Sequence, residues 1–247
     1  MKPASNHTLD ASFGAGAGIE RSTEPLRNAC IPERVWLPPD GIRSWRYVVV
    51  KRAFDILSAS TLLLACFLPA LIVAAVICLT SKGPAFYREE RIGQNGRVFR
   101  IWKFRTMRVD ASEQSRLVAI EPGRPALHHR MVKHLQDPRI TPVGIFLRRW
   151  SVDEVPQLIN VLRGEMSLIG PRPIVEAETC FYANLLDHYL DAKPGLTGLW
   201  QVTGRGDVGY SQRVDLDVTY VRTWTFRDDL RILLRTIPTV LKGIGSR

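Results

Sequence analysis

Two adjacent carboxylates, Asp153 and Glu154, follow a pair of arginines in the segment Leu147–Gln157. A carboxylate can attack a phosphoanhydride to form an acyl phosphate, which keeps its transfer potential for a second acceptor. Because both reactants are anions, a divalent metal and basic side chains must first neutralise the phosphates. Arg148 and Arg149 offer bidentate phosphate ligands at this place. The segment is therefore a candidate site for phosphoryl transfer.

The same residues are also typical of a helix start. Asp153 suits an N-cap with Pro156 in the first turn, while Ser151 and Glu154 have the spacing of a capping box. A helix that begins here would add free N–H groups, which favour phosphate. The local pattern leaves helix capping alone and phosphate chemistry both open.

Further side chains in three segments could supply the positive charge and polar contacts that this chemistry needs. Two cations lie two residues apart, so an extended chain places them on one face. Another lies between two prolines, whose fixed φ makes a rigid mount. A glycine-rich segment adds an amide and a guanidinium, although any one of these side chains is more often simply solvated. The two cations two residues apart are Lys103 and Arg105, the cation between two prolines is Arg172, and the amide and guanidinium of the glycine-rich segment are Gln201 and Arg205.

An uncharged apolar run extends over residues 56–81. It exceeds the roughly 20 residues that cross a bilayer as a helix. Pro69 lies near its centre, where it removes a backbone donor and bends the helix. Each arm alone is too short to span a bilayer, and basic residues flank both ends, so either end suits the cytoplasmic face. A re-entrant helix satisfies both features; a kinked spanning helix or a buried core helix are the alternatives.

The remaining chain predicts short strands and helices of a mixed α/β (α+β) domain. Apolar stretches flank Gln94–Gly96, where Asn-Gly predicts a hairpin. Helices are predicted over 151–162 and 177–190. An amphipathic segment over 230–244, bent or broken at Pro238, suits the membrane interface and the domain core equally.

The charge balance points to anionic partners. There are 34 Lys and Arg against 24 Asp and Glu, a net charge of +10. Nucleic acid, an anionic membrane face and phosphorylated substrates all fit this charge. No recognisable nucleic-acid-binding motif accompanies it, and the apolar run argues against that class. The four scattered cysteines fit a reducing compartment, and the histidines within 110–136 favour a solvated segment over a metal site.

Taken in order, these segments resemble the bacterial sugar transferase family, the monotopic polyprenyl-phosphate phosphoglycosyl transferases. The resemblance covers about residues 51–245, and several ordered motifs in one chain make it specific. The matching stretches are Lys51–Asp55, Lys103–Met107, Ser151–Gln157, Asn160–Pro173 and Gly195–Arg205.

The resemblance implies transfer of a sugar 1-phosphate from a UDP-sugar to undecaprenyl (polyprenyl) phosphate, with release of UMP. This would be the initiating step of exopolysaccharide or related lipid-linked glycan synthesis. Asp153 would be the nucleophile of a covalent phosphosugar intermediate, Glu154 its partner carboxylate, and Mg²⁺ would bind near Asp153. The membrane helix would be re-entrant and broken at Pro69.

The resemblance also assigns substrate contacts. Arg148 and Arg172 would contact phosphates, and the other four polar candidates belong to matching motifs. These four are Lys103, Arg105, Gln201 and Arg205.

An alternative mechanism has the lipid phosphate attack the donor directly, with Asp153 only holding metal.

We therefore expect a disordered tail over 1–45, a membrane-embedded helix over 46–82 and a catalytic domain over 83–247, as in a minimal catalytic form. The expected location is the cytoplasmic face of the bacterial inner membrane, in contact with phospholipids and without nucleic acid. The main rival is a single-pass membrane protein whose basic domain binds lipid headgroups or a protein partner. The sugar and the oligomeric state, including a homodimer, stay open.

Overall fold

The computed structural model describes residues 46–108, 139–204 and 209–241. The tail predicted over 1–45, the histidine-containing segment and Arg205 lie outside these residues, as does the end of the C-terminal segment. Within the described chain, helices surround two separate two-stranded sheets. The prediction of a mixed helix and strand fold with one long apolar helix is confirmed.

The elements follow in chain order. The helices are α1 (Arg52–Thr80), α2 (Pro142–Arg149), α3 (Leu158–Arg163), α4 (Leu186–Asp191), α5 (Leu199–Gly204), α6 (Tyr210–Thr223) and α7 (Phe226–Leu241). The strands are β1 (Phe86–Ile92), β2 (Val98–Phe104), β3 (Ser167–Ile169) and β4 (Gly195–Thr197). A π-helical turn, Arg46–Lys51, leads into α1, and 3₁₀ turns cover Gln94–Gly96, Val152–Gln157, Glu176–Phe181 and Ala183–Leu185.

Helix α1 contains nearly all of the apolar run. Together with the preceding turn it forms Tyr47–Thr80, and among the described residues this is the one helical stretch long and apolar enough to cross a membrane. The helix continues through Pro69, so the break predicted there is not an interruption of helical structure. A proline removes one backbone hydrogen bond, and the turn that follows is held by packing of Val73 and Ala74 against the domain.

The entrance of α1 is fixed by a buried ion pair. Lys51 Nζ donates to Asp229 Oδ2 at 2.7 Å, and the two side chains are 3% and 0% exposed. Tyr220 and Trp224 also donate to Asp229, at 2.8 and 3.0 Å. Because the carboxylate is satisfied from three sides, its charge is tolerated in the interior.

Two neighbouring side chains add to this attachment. Arg52 donates to two carbonyl oxygens at the end of α3, at 2.6 and 2.8 Å. Asp55 Oδ1 accepts from the hydroxyl of Ser167 at 3.0 Å and from the backbone of Leu168 at 3.1 Å, at the start of β3. The charged residues that begin the helix thus face the remainder of the described domain.

The far end of α1 is bound to the same domain. Arg105 donates to the carbonyl oxygens of Ser81 and Lys82, at 2.8 and 2.7 Å. Ile77 is buried against Phe104 and neighbouring apolar side chains. Both ends of the helix therefore contact one domain, although its central side chains are largely exposed.

The predicted β-hairpin is confirmed. Strands β1 and β2 pair antiparallel from Phe86 opposite Phe104 to Ile92 opposite Val98. Asn95 and Gly96 turn the chain with φ of 57° and 73°, the left-handed conformation that Asn-Gly favours.

A close backbone approach places the Pro171–Pro173 segment. Strands β3 and β4 pair in parallel, and just beyond β3 the backbones of Gly170 and Gly195 come so near that a Cβ on either would collide with the other. Gly195 N donates to Pro171 O at 2.8 Å. Glycine is required at this contact because any side chain would push the segment away from β4.

Two predicted helices differ from the structure in detail. The 177–190 region forms two 3₁₀ turns and the short α4, interrupted at Ala183, which has φ 44°. Helix α7 begins at Phe226 and continues through Pro238 without a break. It buries Ile232 in the core and exposes Leu230, Leu234, Ile237 and Leu241, so it packs on the domain and also presents an apolar face.

The buried ion pair predicts a large loss of stability for Lys51→Met. The substitution leaves Asp229 buried without its cation, which costs roughly 3–5 kcal/mol in comparable cases. We expect a marked fall in the midpoint of thermal unfolding in detergent, partly restored in Lys51→Met/Asp229→Asn. Arg231→Met is the control, because its pair with Asp228 is 69% and 40% exposed and is worth at most about 1 kcal/mol. Equal midpoints for Lys51→Met and the control would contradict this assignment.

Candidate active site

Both candidate catalytic carboxylates lie in a 3₁₀ turn rather than at the start of an α-helix. Ser151 has left-handed backbone (φ 55°) and redirects the chain from α2 into the turn Val152–Gln157. The predicted capping box is wrong, because the Ser151 side chain makes no cap hydrogen bond, and Asp153 lies inside the turn instead of capping a helix. Helix α3 begins only at Leu158, so the dyad does not occupy an α-helix N-terminus.

Asp153 and Glu154 differ in their surroundings. Asp153 is 8% exposed. Glu154 Oε1 accepts from Lys103 Nζ at 2.9 Å, and both side chains are about one-fifth exposed. Strand β2 packs against the turn and delivers Lys103, so the structure brings this predicted site residue to the dyad.

Two of the arginines predicted to bind substrate, Arg148 and Arg105, have different hydrogen-bond partners. Arg148 leads into the dyad turn and donates through Nε to Thr106 Oγ1 at 2.9 Å. Arg105 is a correction to its predicted substrate role: it is 7% exposed, and its terminal nitrogens bind the end of α1. Its place one residue after β2 turns the guanidinium toward α1.

Backbone hydrogen bonds hold the segment that contains Arg172. Gly195 N donates to the carbonyl oxygen of Pro171, the residue before Arg172, and Ile92 N donates to Ile174 O at 2.9 Å on the other side. The guanidinium carbon of Arg172 lies 5.5 Å from the ring centroid of Trp200. Burial first, and then the nearby charge of Arg213, lower the pKa of Arg172, while the charge of Glu178 and, less strongly, that of Glu154 raise it.

Gln201 lines an apolar pocket together with Glu154 of the dyad. It is 9% exposed, and among the described residues its Oε1 has no hydrogen-bond partner. The pocket has a volume of about 270 Å³ and takes its walls from α1, the dyad turn, α5 and α7. Glu154 and Gln201 stand among apolar residues that include Leu62, Val202 and Leu233.

Comparison with known proteins identifies the family of this chain. The family model described as bacterial sugar transferase matches residues 46–243, from the turn before α1 past the end of α7. The chain belongs to the bacterial sugar transferase family. The family match includes the dyad turn, both sheets and the apolar helix α1, so the resemblance seen in the motifs is confirmed.

The relatives of this chain include proteins named for sugar transfer and for exopolysaccharide production. The UDP-galactose-lipid carrier transferase of Erwinia amylovora is 45% identical over 80% of this chain and 41% of its own length. The exopolysaccharide production protein ExoY of Rhizobium meliloti is 44% identical over 80% of this chain and 88% of its own length. The UDP-glucose:undecaprenyl-phosphate glucose-1-phosphate transferase of Caulobacter vibrioides is 42% identical over 77% of this chain and 69% of its own length. The chain spans about two fifths of the length of the Erwinia relative.

The donor set at the dyad fits magnesium of the kind that is shared with a substrate. Within the described residues no group of three or more His, Cys, Asp or Glu side chains could hold a metal ion by itself. Mg²⁺ typically binds one or two carboxylates plus substrate phosphates and keeps several waters. The adjacent carboxylates of Asp153 and Glu154 supply such ligands.

Sequence reasoning missed the side chains that enclose Arg172 on its other side. Arg213 lies over Tyr210, with 4.4 Å from guanidinium carbon to ring centroid, and 5.4 Å from Trp200. One turn further along α6, Asp217 accepts from Tyr182 at 2.8 Å and is 1% exposed. The four-residue spacing of Arg213 and Asp217 within α6 was the sequence signal for this pair. The side chains that surround the pair come from distant segments of the chain.

Asp217 predicts a pH dependence of stability. Burial raises its pKa to about 7, although Arg213 and the Tyr182 hydroxyl act to lower it. Because the folded pKa lies above the ordinary value, this group's contribution to stability is greatest below about pH 4 and is lost as pH rises through about 7. Between pH 5.5 and 8.5 the loss is on the order of 2 kcal/mol. Asp217→Asn removes it, so the unfolding midpoint of this variant should fall less over that range than that of the parent.

Asp215→Asn is the matched control for this measurement. It removes a carboxylate from an exposed position on the same helix. We expect Asp215→Asn to keep the parent's pH dependence of unfolding. An Asp217→Asn variant whose midpoint follows the parent's between pH 5.5 and 8.5 would show that Asp217 does not titrate in this range.

Proposed function

We propose that this protein transfers a sugar 1-phosphate from a UDP-sugar to undecaprenyl phosphate and releases UMP. The product would be the lipid-linked sugar that begins exopolysaccharide or related glycan synthesis. The names of the Erwinia and Caulobacter relatives support this substrate class, and the name of the Rhizobium relative supports a role in exopolysaccharide synthesis. The same reaction accounts for a basic, membrane-associated domain with a carboxylate pair.

The position of the dyad between two kinds of surface carries the proposal. On one side Glu154 meets Lys103, and its charge acts on Arg172, which suits a diphosphate. On the other side Glu154 lines the apolar pocket walled by α1 and α7, which suits a polyprenyl chain. A water-soluble anionic donor and a membrane lipid can thus meet at one carboxylate turn.

The chemistry proceeds in two displacements. A carboxylate oxygen of Asp153 attacks the sugar-bearing phosphorus of the donor, and the diphosphate P–O bond breaks with its electron pair leaving on UMP. A phosphate oxygen of the lipid then attacks the same phosphorus, and the Asp153 carboxylate is released. Since the aspartyl phosphate is a mixed anhydride, the energy of the first bond is retained for the second.

The residues around Asp153 reduce the repulsion between the reacting anions. Lys103 and Arg172 would place positive charge beside the diphosphate, and Arg148 would do so from the end of α2. Mg²⁺, held by Asp153 and the substrate phosphates, would neutralise charge on the phosphoryl oxygens. Gln201 would position substrate through its amide, whose oxygen has no partner among the described residues.

The contacts of α1 support a membrane helix that enters and leaves from one face. Arg52 at one end and the Ser81–Lys82 carbonyls at the other bond to the same polar domain. A hydrocarbon core of about 30 Å cannot separate two ends that share such contacts. The exposed side chains of α1 and α7 would lie in the lipid, with the domain at the cytoplasmic face of the inner membrane.

This topology predicts labelling of both helix ends from one side. In a variant without native cysteines, Ser44→Cys and Lys82→Cys should react with a membrane-impermeant maleimide from the same face of sealed vesicles. Arg97→Cys, in the exposed hairpin, marks the side of the catalytic domain. Labelling of Ser44→Cys from the face opposite to Lys82→Cys would show a spanning helix.

The activity is tested by UMP release from a panel of UDP-sugars with Mg²⁺ and undecaprenyl phosphate. We expect one donor to give lipid-dependent turnover, and Asp153→Asn to reduce its rate roughly 10³-fold or more, since the variant cannot form the acyl phosphate.

The controls separate loss of chemistry from loss of structure. Glu176→Gln removes an exposed carboxylate outside the dyad and should keep the parent's rate. If every UDP-sugar fails, other nucleotide sugars are tested next. Failure of all donors, or full turnover by Asp153→Asn, would overturn the proposed function.

A further inference from the structure

Several hydrogen-bond donors around Arg172 have no partner among the described residues. Within the described chain, the Arg172 guanidinium makes no hydrogen bond, although it is half-buried. Arg213 is 8% exposed, and its Nε has no partner there either. The indole N–H of Trp200, between the two arginines, is also buried without an acceptor. Buried donors of this kind are costly unless a ligand supplies acceptors.

Among the described residues, neither nearby carboxylate is a hydrogen-bond partner of these guanidinium groups: Asp217 accepts from Tyr182 and acts on the two arginines through its charge. Glu178 is shared, with oxygens 3.8 Å from Arg213 and 3.9 Å from Arg91, and both distances exceed that of a hydrogen bond. The firm contact of Arg213 is to the neutral hydroxyl of Tyr210, at 3.2 Å. Two guanidinium groups therefore face one indole, each about 5.5 Å from its centre, without an anion between them.

We propose that Arg213, acting with Arg172 and the Trp200 N–H, binds a phosphate group of the nucleotide-sugar donor. The proposal rests on the proposed function, and it adds Arg213 and Trp200 to the binding residues. A phosphate offers several acceptor oxygens and a negative charge, which match the planar donor fork of arginine. Arg213 is a binding residue in this assignment and does not act on the reacting bond.

The surroundings of Arg213 favour the nucleotide over the lipid as the source of this phosphate. Its neighbours come from β1, the turn Glu176–Phe181, α5 and α6. The apolar pocket instead takes walls from α1 and α7, which carry the exposed apolar side chains. Trp200, which contacts both arginines, is followed in α5 by Gln201, and Gln201 lines the pocket together with Glu154.

Equilibrium binding of UMP and uridine to the full chain in detergent tests the assignment. Relative to the parent, we expect Arg213→Gln to weaken UMP binding about tenfold or more and to leave the weaker uridine binding unchanged. Arg213→Lys keeps the positive charge but lacks the planar donor fork, so its affinity for UMP should lie between those of the parent and Arg213→Gln. Arg227→Gln removes a cation from an exposed position on α7 and should bind UMP as the parent does.

The outcomes separate this inference from the proposed function. Arg213→Gln and Arg213→Lys that both bind UMP like the parent would overturn it, even if sugar transfer is observed. A raised KM for a short polyprenyl phosphate with unchanged UMP binding would also overturn it, because the phosphate would then be the lipid's. Arg213-dependent UMP binding in a protein that transfers no sugar would uphold the site and refute only the proposed reaction. Binding is measured below each variant's unfolding midpoint, so loss of structure cannot imitate loss of contact.

Discussion

The buried pair of Lys51 and Asp229 is the interaction on which the arrangement of this protein depends. It joins residues 178 positions apart in the sequence and fixes the entrance of the apolar helix to the last helix of the catalytic domain. An ion pair so deeply buried stabilises a structure only when both partners are present and fully bonded, as Tyr220 and Trp224 ensure for Asp229. Arg105 completes the attachment at the far end of α1.

This attachment determines where the candidate chemistry takes place. Because α1 is held along the domain, its apolar side chains become one wall of the pocket that Glu154 borders. The hairpin brings Lys103 to the same carboxylate, and the glycine contact between Gly170 and Gly195 positions the segment that contains Arg172. The dyad turn thus lies where a lipid and a charged nucleotide can reach it from different directions.

The sequence was sufficient for features that depend on local pattern. The Asn95-Gly96 hairpin, the long apolar helix and the amphipathic α7 were all predicted, because turn chemistry and hydrophobic periodicity act within a few residues. The order of the motifs also identified the family. The structure brings Lys103 to Glu154, while the substrate contacts assigned to Lys103 and Arg172 stay predictions.

What failed in the prediction depends on contacts between distant segments. The basic residues before the apolar run were interpreted as membrane flanks, yet Lys51 and Arg52 bind partners more than 100 residues away. The dyad was expected at a helix start, but the left-handed Ser151 produces a 3₁₀ turn that local propensity does not predict. Arg213 was missed because its contacts with Trp200 and Glu178, which indicate a binding role, are formed only when the chain folds.

Intact-protein mass spectrometry in two stages tests the central claim that Asp153 carries the sugar phosphate between a polar donor site and a lipid site. The donor and Mg²⁺ are first added without lipid, and undecaprenyl phosphate is added afterwards. We predict one UMP per protein and a mass increase of one sugar phosphate in the first stage, absent in Asp153→Asn, and loss of that mass in the second. UMP release that begins only when the lipid is present, with no adduct at any time, would contradict the account and favour direct attack by the lipid phosphate.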